Sequence, residues 1–75
     1  MAQIIFSKKD FTKSNEKEYQ LEYSVNEIGK GSDLIVERLT AKGDYEIIQA
    51  PLRRSNDKLF IIWDTPFDGR ILFDL

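Results

Sequence analysis

Apolar and polar residues alternate most regularly between residues 19 and 26, where Tyr19, Leu21, Tyr23 and Val25 interleave with Gln20, Glu22, Ser24 and Asn26. A period of two sends the first set to one face of a strand and the second to water, whereas a helix scatters the four apolar side chains around its circumference. The pattern predicts a half-buried strand. Residues 3–7 read as a short apolar strand near the start. Residues 59–63 form a continuous β-branched and aromatic run, the pattern of a central strand. After the turn signals of Thr65-Pro66-Phe67-Asp68-Gly69, residues 70–74 read as a closing strand.

Residues 34–42 admit two readings. As a helix they have Ser32 or Asp33 at the N-cap, Ile35, Val36 and Leu39 on one face, and Gly43 as the stop. As a strand they lead through Ala41-Lys42-Gly43 into a second strand at residues 44–50. A three-residue hairpin loop wants a left-handed residue at its third position, where Gly43 stands. That register sets Arg38 opposite Glu46, Val36 opposite Ile48 and Leu39 opposite Tyr45, all complementary cross-strand pairs. The β-branched Ile35-Val36 step tips the balance to the hairpin.

The remaining segments read as connections. Residues 8–17 are polar apart from Phe11 and read as a loop that Phe11 pins to the core. Gly29-Lys30-Gly31-Ser32 breaks the chain, and residues 53–58, after Pro51, read as a polar turn. Strands at intervals of about 8–12 residues with turns between them predict one domain over residues 1–75. Its expected fold is mainly β, a small antiparallel sandwich or barrel of five to six strands. The alternative is an α+β fold with one short helix at residues 33–42.

Composition narrows the chemistry. The chain has 75 residues, no cysteine and no histidine, so disulfides, the usual zinc sites and Ser–His or Cys–His nucleophile pairs are absent. At this size folding hides only roughly 60% of the surface of the unfolded chain. The core is therefore thin, and a second copy covering an edge or an apolar patch would thicken it, which makes a homodimer an expectation. Net charge is −2, too balanced for a bulk grip on nucleic acid or an anionic membrane. No apolar run approaches the roughly 20 residues of a membrane span, and residues 1–6 lack the pattern of a signal peptide. Cytoplasmic residence is the expectation.

Two apparent motifs fail on spacing. Gly29-Lys30-Gly31-Ser32 lacks both the Ser or Thr directly after the lysine and the earlier glycine of a phosphate-binding loop. Asp64-x-x-x-Asp68-Gly69 puts Pro66 and Leu75 where a calcium loop needs oxygen ligands. No metal and no cofactor is expected, and the chain reads as a non-enzymatic domain that binds another protein, in an accessory or inhibitory role. The candidate contact residues are Trp63, Asp64, Phe67 and Asp68, two aromatics in an acidic turn, the composition that interfaces concentrate. Trp63 and Phe67 have a second reading, as core residues. The alternative function is single-stranded nucleic-acid binding by a small β-barrel, through Arg53, Arg54 and Lys58 with neighbouring aromatics as stacking platforms.

Overall fold

The structure is a computed structural model that describes residues 2–29 and 33–74. Eight strands, which make up 57% of the described residues, form two four-stranded antiparallel sheets in a small sandwich-like fold, not a closed barrel. The strands are β1 (Ala2–Phe6), β2 (Thr12–Asn15), β3 (Glu18–Ser24), β4 (Ile35–Leu39), β5 (Tyr45–Ile48), β6 (Leu52–Ser55), β7 (Lys58–Trp63) and β8 (Gly69–Phe73). The first sheet runs β1-β8-β4-β5 and the second β2-β3-β7-β6. A short 3-10 turn at Lys8–Asp10 and one helical turn, α1 (Val25–Ile28), complete the described elements. Neither is long and apolar enough to cross a membrane.

Residues 35–48 take the hairpin, not the helix. Arg38 pairs with Glu46, Val36 with Ile48 and Leu39 with Tyr45. Gly43 lies at φ 91, in the left-handed region that an L-side chain would strain. Its N–H donates to the Thr40 carbonyl at 3.0 Å, and the Thr40 N–H donates to the Asp44 carbonyl at 2.7 Å, closing the three-residue loop.

Two expected connections are strands. Within residues 8–17, Thr12–Asn15 pairs with β3 across a bulge, and Leu52–Ser55, which takes in the first half of residues 53–58, pairs with β7. Both are edges of the second sheet and every residue of both is exposed, so neither carries the alternation that marks a half-buried strand. Polar, charged edges also resist pairing with other chains. Val25, expected as the last inward residue of its strand, instead opens α1. The Ser24 N–H donates to the Glu27 carboxylate at 3.1 Å, half of a capping box, and Ile28 is buried in place of Val25. Of the break at residues 29–32, residues 30–32 lie outside the described residues, as does Leu75 of the rejected calcium loop.

The core lies between the inner faces. Val36 and Ile71 of the first sheet meet Leu21, Leu59 and Ile61 of the second, with Ile28 closing one end. At the other end four rings interlock. Phe6 and Phe11 stand edge to face with centroids 5.8 Å apart, and Phe67 contacts Phe6 at 5.4 Å, Phe11 at 5.1 Å and Trp63 at 5.9 Å. Phe11 pins its loop as expected. Gly69 lies beneath Phe6, where a Cβ would run into the Glu37 carbonyl of the neighbouring strand.

Candidate functional site

The turn after β7 is held from inside. Phe67 is only 6% exposed, so of its two readings the structure takes the core, and its ring is not available as an exposed anchor. Asp68 is tied into the fold: its carboxylate accepts the Lys8 N–H at 2.9 Å and its carbonyl accepts the Leu39 N–H at 2.8 Å. Asp64 remains exposed, and Trp63 is half-buried on the core side. Beside them an open groove of about 320 Å³ is lined by Lys17, Glu18, Pro51, Ile62, Trp63 and Asp64.

The basic residues stand on β6 and β7 and are paired with acids of β3. Arg53 reaches Glu18 at 3.4 Å and Lys58 reaches Glu22 at 2.9 Å. A hydrogen bond from the Ser14 hydroxyl, with help from Arg53, holds Glu18 below the usual carboxylate range. The hydrogen bond to Glu22 raises Lys58 above its ordinary value. Arg54 is also engaged. Arg53 and Lys58 thus form part of a mixed-sign surface over the outer face of the second sheet, whereas Arg54 stands opposite the inward-facing Leu59.

No polar or charged side chain among the described residues is fully buried, and no group of three acidic side chains among them could hold a metal ion. Among the described residues Tyr23 is the one group moved far from its ordinary value. Partial burial, with Asp10 and Glu27 nearby, pushes its hydroxyl up to about 12, away from the range useful for catalysis at neutral pH.

The surface with the most contact character lies elsewhere, on the outer face of the first sheet. Register places Ile5, Arg70, Glu37 and Ile47 side by side across β1, β8, β4 and β5. The two flanking isoleucines are 66% and 68% exposed. Between them Arg70 donates through Nε to Glu37 and through Nη1 to Gln3 at 3.3 Å, and its guanidinium lies 4.0 Å over the Tyr45 ring. Leu39 is exposed on the same face, and Leu72 and Ile35 are partly covered. None of these residues was a candidate from the sequence, because an exposed Ile5 or Ile47 reads as core until the register shows its neighbours. Only Glu37 and Ile47 had a signal in the sequence, the hairpin register itself. It places Glu37 opposite Ile47 on the face away from Val36 and Ile48.

No protein-family model, no curated protein and no solved structure matches the chain.

Proposed function

We propose that this chain is a non-enzymatic protein-binding domain whose contact surface is the outer face of the first sheet. The observation that carries the reading is the row Ile5–Arg70–Glu37–Ile47, which sets two well-exposed isoleucines around an arginine held in place by a carboxylate, an amide and an aromatic ring. Contact surfaces favour aromatic and arginine anchors within an apolar patch. Fixing a long side chain before binding also lowers the entropy lost on contact. The Trp63–Asp68 turn gives this role less support, with Phe67 inside the core and Asp68 engaged by backbone groups. The single-strand alternative also has less support, because Arg53 and Lys58 are closed onto glutamates and Tyr19, Tyr23 and Trp63 pack against the core.

The test is recovery of partners from native cells with tagged wild type and with a variant carrying Ile5→Asp and Ile47→Asp. The expected result is that the variant stays folded by circular dichroism and loses the protein partner. A partner that survives both substitutions would overturn the reading. So would recovery of nucleic acid alone, released by Arg53→Ala with Arg54→Ala.

A further inference from the structure

The charge order along the exposed row has a symmetry of its own. Read across β1, β8, β4 and β5 it is apolar, positive, negative, apolar. We propose that the occupant of this face is a second copy of the same chain, packed face to face about a two-fold axis that runs along the strands between β8 and β4. The proposal rests on the reading of this face as the contact surface and names its partner.

Rotation by a half-turn about that axis exchanges β1 with β5 and β8 with β4. Ile5 then lies against the second copy's Ile47, and Arg70 against the second copy's Glu37. The two arginines and two glutamates form a box in which every neighbour has the opposite sign, so no charge is covered without a partner. In the adjacent row Leu72 meets the second copy's Ile35. Arg70 can serve both carboxylates: a guanidinium has five N–H donors, of which Nε goes to Glu37 and one on Nη1 to Gln3. A two-fold contact requires one surface to complement itself, and a row with this charge order does so.

The size of the face sets the strength. Four strands at about 4.8 Å spacing and five residues at about 3.3 Å rise give a footprint of roughly 19 by 16 Å. Two such footprints add up to roughly 600 Å² of flat area, below the usual size of a stable specific contact. The dimer is therefore weak and visible only at high protein concentration.

The absence of cysteine from the chain makes the test direct. Ile5→Cys and Ile47→Cys are prepared separately, both at exposed positions, and treated with a short bis-maleimide. Mixed, they should give a covalent dimer several-fold more abundantly than either variant alone, because residue 5 of one copy faces residue 47 of the other. Equal yields from the single variants, or a mixed yield no higher than theirs, would overturn the arrangement. A second arm uses charge. Arg70→Glu alone and Glu37→Arg alone should each sediment as monomers, whereas an equimolar mixture should recover the dimer with a dissociation constant within about tenfold of wild type. If a charge variant does not fold, Ile47→Glu replaces this arm and should sediment as a monomer where wild type does not.

Wild type that remains monomeric to about 1 mM would overturn the second copy as occupant. The contact reading would still stand if the Ile5→Asp and Ile47→Asp variant loses another protein. Dimers that persist in Ile47→Glu would overturn this face-to-face arrangement and point to pairing along a sheet edge.

Discussion

The two sheets share one core but finish their outer faces differently. On the second sheet Ile62 points outward with Gln20, yet it is only 7% exposed. Pro51 lies beside it, and the Arg53–Glu18 pair spans the same face. The stems of long charged side chains can shield apolar surface while their heads stay in water. On the first sheet Ile47 also points outward and is 68% exposed. Its charged neighbours, Arg70 and Glu37, are drawn to each other and to Gln3 and Tyr45, not over the isoleucine. The same residue type in the same layer is thus closed off in one sheet and presented in the other. One outer face is completed by the chain's own side chains, and the other leaves Ile5 and Ile47 in solvent.

Two faces of one molecule can be set against each other only where the sheets unfold as a single cooperative unit. Phe67 joins them, touching Phe6 and Phe11 on one side and Trp63 on the other. Phe67→Ala should cost about 3–5 kcal/mol, a large part of the stability of a small domain. Thermal unfolding followed at 280 nm and in the far ultraviolet should show one transition, shifted down as a whole. Two separate transitions would mean that the sheets melt independently.

The contrast between the outer faces is sharpened by paired truncations. Ile62→Ala removes a covered side chain and should cost about 2 kcal/mol, at the low end for buried isoleucine because only one layer of side chains lies over it. Urea titration of wild type and variant would measure it, and a cost near zero would show that the second face is as open as the first. Alkaline titration probes the inner face of the second sheet. Tyr23 ionises at about pH 12 in the fold and near pH 10 in an unfolded chain. The stability tied to its neutral hydroxyl is present in full below about pH 10 and is lost as the pH climbs toward 12. The loss should be on the order of 1 kcal/mol, discounted because the ring is partly in solvent, and Tyr23→Phe should flatten that part of the stability curve. The smallest effect is expected at the open face. Ile47→Ala in dilute solution should change stability by less than about 0.5 kcal/mol, and a cost matching that of Ile62→Ala would erase the contrast.

Where apolar side chains meet the core, the fold was legible before any coordinate. The alternation at Tyr19–Tyr23 and the register of the β4–β5 hairpin both follow from which side chains must be buried or paired. β2 and β6 were not legible in that way, because an edge strand of polar residues is held by backbone hydrogen bonds that no side-chain pattern reports. Local chemistry still marked β6: Asn56-Asp57 between Ser55 and Lys58 is a two-residue hairpin loop, and Asn56 adopts φ 56. Ser24-x-x-Glu27 likewise carries the capping-box spacing that ends β3 one residue before Val25. The candidate site was less legible. Phe67 follows a proline in a polar turn and has the local sequence of an exposed anchor, and only the arrival of Phe6 and Phe11 from distant positions, beside the nearby Trp63, buries it. Nor could sequence spacing reveal the Ile5–Arg70–Glu37–Ile47 row, since its four members come from four strands spread along the chain.

The position of β8 bears on how the molecule reaches this arrangement. It is the last strand in the chain, yet it lies inside the first sheet between β1 and β4, with Ala2 opposite Phe73. The sheet therefore cannot be completed strand by strand in chain order, since β8, one of its two inner strands, arrives after both borders. Bringing β1 and β8 together closes a loop of nearly the whole chain before any pairing energy is returned, an entropic delay that slows folding relative to local hairpins. A permuted chain that links residue 73 to residue 2 through a tight turn would make this pairing local and should refold faster to the same sheet.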